Sequence, residues 1–381
     1  MTKDVLLVTP YYDPNIIGGA EISTQLIAEG LAGRCDVLTF GRADGKRQVN
    51  GVDVYEINLP NFQNLWAAPL DGTSLSLPNK LNGHLGTLYP TSKVTARYRD
   101  FIQEHCYRTI ILNANETVMD RPSLWKGAHD SGARVILTLR DNSLLNKTIG
   151  NIDFSRAYRR LIRRQLNWID AFVAPSQYMI DLYAESDMKK SDSRVIPNAV
   201  GLSDPPSCPF NSKQGVIYAG SIAKHKGIIT LLEASRNFYE ELELIGRGPL
   251  MDIANGYSGV KVYSWMDRGQ LYRELASKKV LVLPSEWPEA FGRVLVEAVL
   301  CGTLVVGSNA GGIPEVLGYD ERYIFSAGDS SDLALRVNRI LRLDESSYSR
   351  ELAEMKNHFE RYSVDQFVEK WSAVIREACS F

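Results

Sequence analysis

Short aliphatic runs separated by stretches of helical periodicity restrict the fold of this chain more than any other feature. VLLVT (5–9), DVLTF (36–40), TIIL (109–112), RVILTL (134–139) and AFVAP (171–175) are apolar at most positions, as strands buried on both faces must be. Between the first two, residues 20–32 place Ile22, Leu26, Ile27 and Leu31 on one face of a helix. Strands and helices alternating in this way fold as a parallel sheet covered by helices on both sides. The alternation then begins again with VIYAG (216–220), LELIG (242–246), VKVY (260–263), VLVLPS (280–285) and TLVVGS (303–308). A linker dense in Pro, Ser and Asn, PNAVGLSDPPSCPFNSKQG, separates the two sets. At 381 residues the chain exceeds what one core organises. The expected domains are therefore 1–200 and 201–360, with 361–381 as a last helix packing back on the first domain. Ser363 and Gln366 form a capping box for that helix, and Phe367, Trp371, Val374 and Ile375 form its apolar face.

Composition removes several functions. A hydrophobic content of 44% and a charged content of 23% are ordinary for a globular protein, and a net charge of -2 gives no global attraction to nucleic acid. Five scattered cysteines without a CxxC pair argue against a disulfide framework or a zinc site and for a reducing compartment. The N-terminal apolar stretch is too short for a signal peptide, and no segment reaches the ~20 apolar residues of a membrane span. A cytoplasmic location is expected, with or without attachment to the inner face of a membrane. Residues 58–95 mix Pro, Gly and Asn with Leu65, Trp66 and Tyr89, and read as a long substrate-lining loop.

The segment PEAFGRVLVEAVLCG (288–302) carries the most chemistry. Residues 291–301 read as a helix closed by Gly302, and from Val294 to Cys301 only Glu297 is polar. A helix apolar all round is buried, so this carboxylate must be paired or hydrogen-bonded. Arg293, at i−4, is the local cation. Two readings stand side by side: an intrahelical Arg293–Glu297 pair, and a carboxylate that accepts hydrogen bonds from a ligand. Glu289 lies eight residues earlier, at most ~12 Å along a helix, too far for the two acids to share a proton. They are spaced to hold two ends of a long ligand. The intervening AFG places free backbone N–H groups at a helix N-terminus, an anion site. A sugar, a diphosphate and a ribose, the parts of a nucleotide sugar, would fit that arrangement.

PSEWPEAFGRVLVEAVLCGTLVVGSNAGGIPEVL (284–317) resembles the signature of retaining glycosyltransferase family 4, with its E-x7-E pair at Glu289 and Glu297. YAGSIAKHKGIITLLEA (218–234), LIGRGPL (244–250), VIPNAV (195–200) and TPYYDPNIIGGAEISTQLIAEGLA (9–32) extend the resemblance over nearly the whole chain. It implies an α/β GT-B fold, two Rossmann-like parallel-sheet domains facing across a cleft, with the donor held mostly by the second. It also implies residue roles. Glu297 would accept from the ribose hydroxyls and Glu289 from those of the transferred sugar. The backbone at Phe291 and Gly292 would approach the sugar and diphosphate, and Arg293 and Val294 are expected with them among the donor-binding residues. Lys226 would neutralise the leaving diphosphate, a task other folds give to a metal, so neither metal nor cofactor is expected. Gly246 and Gly248, with Met266 further on, would border the base, and Arg247 beside them is expected among the donor-binding residues. Gly18 and Gly19, before a helix, would let backbone come close to a phosphate or acceptor.

Two positions depart from the family pattern. Ser221 stands where an arginine follows the phosphate-loop glycine, leaving Lys224, Arg247 or Arg293 as substitutes. Arg140 stands where a histidine is frequent, and arginine cannot accept a proton. Arg140 is expected in the catalytic set beside Glu289 and Lys226, as a donor to sugar or phosphate. The expected partners are a nucleotide-sugar donor and a glycan, lipid-linked or small-molecule acceptor, with no nucleic acid. A helix over 155–172 carries Arg156, Arg159, Arg160, Arg163 and Arg164 on one face, with Tyr158, Leu161, Ile162, Leu166 and Ile169 on the other. Its basic face reads either as a solvated surface or as a site for anionic lipid or a lipid diphosphate. Other classes are a catalytically inactive glycan- or membrane-binding partner and a nucleotide-sugar epimerase or phosphorylase. The lack of G-x-G-x-x-G after the first strand argues against a nicotinamide-dependent dehydrogenase.

Overall fold

The computed structural model describes residues 3–15, 19–41, 43–58, 92–114, 122–146, 148–149, 152–202 and 204–377. The chain divides into two compact units, one made of Met1–Pro197 with Asp365–Phe381, the other of Asn198–Val364.

In the first unit the strands are β1 (Val5–Val8), β2 (Cys35–Gly41), β3 (Gly45–Val49), β4 (Val52–Asn58), β5 (Thr109–Ala114), β6 (Arg134–Leu139), β7 (Thr148–Ile149), β8 (Ile152–Asp153), β9 (Ala171–Ala174) and β10 (Asp192–Val195). Eight of them form a sheet in the order β10-β9-β6-β5-β1-β2-β4-β3, while β7 and β8 pair separately. Every neighbouring pair in the large sheet is parallel except β3 with β4. The aliphatic runs form its centre: all four residues of β1 are fully buried, because helices cover both faces. Strands β3, β4 and β10 are absent from the sequence reading, and all three lie at or near a sheet edge, where only half of each strand meets the core. In β4, Val52, Val54 and Ile57 are buried, whereas β3 (GKRQV) is largely exposed. Such edge strands lack the continuous apolar run that marks a central one.

The loop expected over 58–95 needs correcting at its end, since a helix begins at Ser92 and runs to His105. Residues 59–91, including Leu65, Trp66 and Tyr89, lie outside the described residues. The last helix, Val364–Glu377, buries Phe367, Trp371, Val374 and Ile375. Its Val374 carbonyl accepts from Arg134 Nη1 at 2.8 Å, and its Glu377 pairs with Arg194 at 2.7 Å.

The second unit contains β11 (Val216–Ala219), β12 (Leu242–Ile245), β13 (Val260–Tyr263), β14 (Val280–Leu283), β15 (Leu304–Ser308) and β16 (Ile324–Phe325). They form one parallel sheet in the order β13-β12-β11-β14-β15-β16. Numbered from β11, that order is 3-2-1-4-5-6, the doubly wound arrangement of dinucleotide-binding folds. The chain winds outward from β11 on one side, then returns to start again at β14 beside it. The loops leaving β11 and β14 therefore part in opposite directions and open a crevice at the carboxyl ends of these strands.

Glycines let the loops at this crevice close on one another. Gly246 has φ 155°, and a Cβ there would lie 1.8 Å from the Gly220 carbonyl oxygen, a backbone atom that cannot swing aside. Gly246→Ala should therefore destabilise the protein by about 2 kcal/mol or more, read as a lower urea midpoint with unchanged slope.

Behind the sheet, Glu351 accepts from Arg339 Nη1 at 2.8 Å and Nη2 at 3.0 Å, and from the Tyr323 hydroxyl at 2.7 Å. Burial raises its pKa, but the Arg339 and Tyr323 bonds outweigh that and hold the carboxyl below its usual range. A carboxyl lowered by folding stabilises fully above its unfolded pKa, about 4.3, and loses that contribution as pH falls through the folded value. Urea midpoints should accordingly drop as pH falls below about 4.3. Glu351→Gln should lower the midpoint at neutral pH and flatten this acid limb.

Candidate functional site

The crevice at the carboxyl ends of β11 and β14 is built by two loops, 220–227 and 284–292. They are joined along their length. Gly227, in the left-handed region at φ 70°, stands where a Cβ would lie 1.8 Å from the Pro284 carbonyl oxygen. The His225 carbonyl accepts from the N–H groups of Glu286 at 3.1 Å and Trp287 at 3.0 Å, and Thr230 Oγ1 donates to Glu286 Oε1 at 2.6 Å. These contacts bring Lys226 Nζ within 2.6 Å of Glu289 Oε1. Ser285 Oγ donates to the same oxygen, also at 2.6 Å. The lysine and glutamate side chains keep 28% and 20% of their surface, enough to meet a ligand without rearranging the loops.

Glu289 is fixed by its backbone as well. It forms a parallel bridge with Gly311, and its carbonyl accepts from Gly312 N–H at 2.7 Å. A Cβ at Gly311 would lie 2.4 Å from the Glu289 carbonyl oxygen, which explains a glycine there. The sequence reading missed Ser285, Gly311 and Gly312. Their signals were a serine closing the apolar run of β14 and the glycine pair in SNAGGIPE.

After Glu289 the chain reaches the helix Arg293–Leu300, whose N-cap Gly292 has φ 87°. The first turn leaves N–H groups without intrahelical acceptors, and the helix dipole makes that end positive. Phe291 is 3% exposed with its ring edge-on to Tyr362 at 5.2 Å, so only its backbone can face a ligand. Val294 is half-buried against the core.

Glu297 lies on the inward side of this helix, 8% exposed, and its Oε1 accepts from Arg293 Nε at 3.0 Å. The intrahelical pair considered above is thus the geometry adopted. It is an unusual one, because the arginine occupies the positive end of the helix, against the dipole. Burial pulls the Arg293 pKa below the ordinary guanidinium value, with Glu297 acting against that effect. Arg293 Nη1 is buried without a hydrogen-bond partner. A guanidinium with a donor unused at a positive helix end is an environment that an anion would relieve.

The neighbouring loop, after β12, is laced to the first. Gly220 N–H donates to Ile245 O at 3.0 Å, Ile222 N–H to Arg247 O at 2.9 Å and Leu250 N–H to Ile222 O at 3.1 Å. Gly248 also packs against the Ile222 backbone. Arg247 Nε reaches Ser264 Oγ at 3.1 Å, and Met266 packs against the core beside Trp265, which is 69% exposed. Ser221 is exposed, and its carbonyl accepts from the Tyr218 hydroxyl at 2.7 Å. Lys224 is exposed too, whereas Arg293 is enclosed next to Glu297.

In the first unit, Arg140 follows β6 and its Nε donates to Asn113 Oδ1 at 3.1 Å. Asn113 belongs to a buried chain at the carboxyl ends of β1, β5 and β6: Thr138 Oγ1 donates to its Oδ1 at 3.0 Å, and its Nδ2 donates to Thr9 Oγ1 at 3.3 Å. None of these three was singled out in the sequence, although each is a polar residue at the end of an apolar run. Gly19 opens the helix Gly19–Gly30, the first helix after β1, and Gly18 lies outside the described residues. On the helix Ser155–Gln165, Arg156, Arg160, Arg163 and Arg164 are exposed and Arg159 is half-buried. One expectation there is corrected: Leu161, assigned to the packed face with Tyr158 and Ile162, is 45% exposed. Tyr158, Ile162 and Leu166 are the residues that fill the buried side of this segment. Among the described residues no group of His, Cys, Asp and Glu is placed to hold a metal, and no helix is long and apolar enough to cross a membrane.

Comparison with known proteins agrees with this architecture. The family model described as Glycosyltransferase Family 4 matches residues 17–204, and that described as Glycosyl transferases group 1 matches residues 209–363. A 42.6 kDa protein of the cps region of Klebsiella pneumoniae is 24% identical over 336 residues, covering 82% of this chain and 87% of its own. A glycosyltransferase of Methanocaldococcus jannaschii is 26% identical over 372 residues, covering 88% of each chain. HepE of Anabaena, solved with UDP, superposes with a TM-score of 0.73 at 16% identity, over 98% of this chain and 100% of its own. Its complex with UDP-glucose gives 0.71 at 18% identity, over 98% and 99%. With two α/β units built on largely parallel sheets and family matches along nearly its whole length, the chain belongs to glycosyltransferase family 4 and has the GT-B fold.

Proposed function

We propose that this glycosyltransferase moves a sugar from a nucleotide-sugar donor to a glycan, lipid-linked or small-molecule hydroxyl, with retention of configuration and without a metal. The observation that carries this reading is the Lys226–Glu289 contact at 2.6 Å, in the switch-point crevice and just ahead of the helix opened by Gly292. Without donor, the ammonium and carboxylate neutralise each other. On binding, Lys226 turns to the diphosphate and Glu289 accepts from hydroxyls of the sugar, while Ser285 keeps the carboxylate oriented. The free N–H groups of the first helical turn and the buried Arg293 guanidinium add positive potential where a diphosphate would sit. Arg293 then serves as the second cation that Ser221 does not provide. Glu297, steadied by Arg293, accepts from the ribose hydroxyls, and the loops at Gly246, Arg247 and Met266 border the base. That HepE was solved with UDP and UDP-glucose supports UDP as the first nucleotide to test.

For the chemistry, the bond from the anomeric carbon to the diphosphate oxygen breaks while the bond to the acceptor oxygen forms on the same face. The proton of the acceptor hydroxyl passes to the departing diphosphate oxygen. No side-chain base is required, which accommodates Arg140 in place of a histidine. Arg140, oriented through its Nε by Asn113, is placed in this reading as a donor to the sugar or an acceptor phosphate. Lys226 stabilises charge that grows on the leaving diphosphate, so it acts more strongly in the transition state than in the bound donor.

Thermal shift across UDP-, GDP-, ADP- and dTDP-linked sugars, with and without a chelator, tests donor binding. One nucleotide class should raise the melting temperature equally in both conditions, since a ligand bound only by the folded state must stabilise it. If no donor raises it, the proposal fails. With the donor known, Lys226→Ala should lower kcat by about 100- to 1,000-fold with a much smaller change in KM.

Glu297→Gln separates the two readings of the Arg293 pair. As a ribose ligand, Glu297 gives a donor Kd raised by about 10- to 100-fold on substitution, with the melting temperature of the free protein nearly kept. A purely structural pair predicts the opposite: a lower melting temperature and an unchanged Kd.

A further inference from the structure

The helix Ser155–Gln165 carries five arginines and no acidic residue. Ser155, Tyr158 and Ile162 are its buried side, so Arg156, Arg160, Arg163 and Arg164 point to solvent. What changes the meaning of this face is the apolar surface lying on it. Phe154 is 42% exposed and Leu161 is 45% exposed. They are seven residues apart, two helical turns, and therefore in line along the helix, with the exposed Ala157 between them. Among the described residues of the unit formed by Met1–Pro197 and Asp365–Phe381, they are the two large hydrophobic side chains left exposed.

A helix whose only task is to pack against its own unit has no reason to set its bulky apolar residues outside. The charges on this face are also largely unanswered. Asp187 reaches Arg163 at 3.5 Å, but both side chains are mostly exposed, at 84% and 61%. Arg156, Arg160 and Arg164 form no ion pair among the described residues. Arginine beside solvent-facing aromatic and aliphatic side chains, on a helix packed by its opposite side, is the pattern of an interfacial surface. It combines attraction to headgroup phosphates with apolar groups that enter the acyl boundary.

We infer that this helix docks the protein on a bilayer rich in anionic lipid. Arg156, Arg160, Arg163 and Arg164 lie among the headgroup phosphates, and Phe154 and Leu161 reach below them. The occupant is a bilayer rather than a soluble polyanion because a polyanion has no use for the two apolar side chains. The inference does not depend on the donor-site reading, since none of these residues belongs to that site.

Co-sedimentation of the full chain with vesicles of phosphatidylcholine, with and without phosphatidylglycerol, tests it. Binding should need phosphatidylglycerol, weaken with salt and persist in inorganic phosphate. Arg160→Glu/Arg164→Glu should weaken partition by about thirtyfold or more. Phe154→Ser/Leu161→Ser should weaken it by at least about tenfold. Melting temperatures check that each variant folds; should one not fold, Arg160→Gln/Arg164→Gln or Leu161→Ser alone takes its place. Equal binding to both vesicle types, or charge-reversed protein that binds like the native chain, overturns the inference. So does full binding by the apolar variant, which would mark the helix as a site for soluble polyanions. Displacement by inorganic phosphate would equally reassign it to a free phosphate ligand.

Discussion

The neighbouring placement of β11 and β14 is the constraint from which the candidate site follows. Parallel strands need crossovers, and a doubly wound sheet places its first and fourth strands side by side with their outgoing loops turned apart. The opening this leaves is a consequence of connectivity, so it costs no packing elsewhere. The loops bordering it still have to be held, and backbone contacts do that. Gly227 meets Pro284, Gly246 meets Gly220, and Gly311 meets Glu289, each at a separation no side chain would permit. Lys226 and Glu289 come into contact only because these close approaches join segments some sixty residues apart in sequence; the hydrogen bond between them spans 63 positions.

The Arg293–Glu297 pair shows how one side chain can serve the fold and a ligand together. A carboxylate that is 8% exposed needs a partner, and Arg293 supplies it. Yet the arginine sits at the wrong end of the helix for the dipole and leaves Nη1 unpaired. A pair selected for stability alone would place the acid first and the base later. The reversed order is understandable if the positive end is meant to meet an anion, with the carboxylate holding the guanidinium in position meanwhile.

The central strands were legible in the sequence because burial on both faces leaves a continuous apolar run, as in β1, β6 and β14. Strands at or next to the sheet edges, β3, β4 and β10, were not, since a half-buried or solvated strand carries an alternating or polar pattern that resembles a turn. At the site, Glu289 and Glu297 stood out as carboxylates beside or within an apolar run, and Lys226 through the resemblance to the family. Ser285, Asn113, Thr138 and Thr9 did not, because a small polar residue at a strand end is common and becomes informative only when its hydrogen-bond partner is known. Leu161 illustrates the reverse error: a leucine at helical spacing reads as core, and only the structure shows that Tyr158, Ile162 and Leu166 take the buried side while Leu161 stays exposed.

Local pattern therefore determined the α/β class, the two sets of strands and the residues with chemistry to offer. These depend on the period of hydrophobic positions and on glycines whose backbone conformations other residues avoid, both of which are written along the chain. That Lys226 meets Glu289, which oxygen of Glu289 takes two hydrogen bonds, and which apolar side chains of the basic helix face outward were decided by the tertiary structure. Each depends on distances between segments remote in sequence, and those are fixed only when the strands take their order in the sheet.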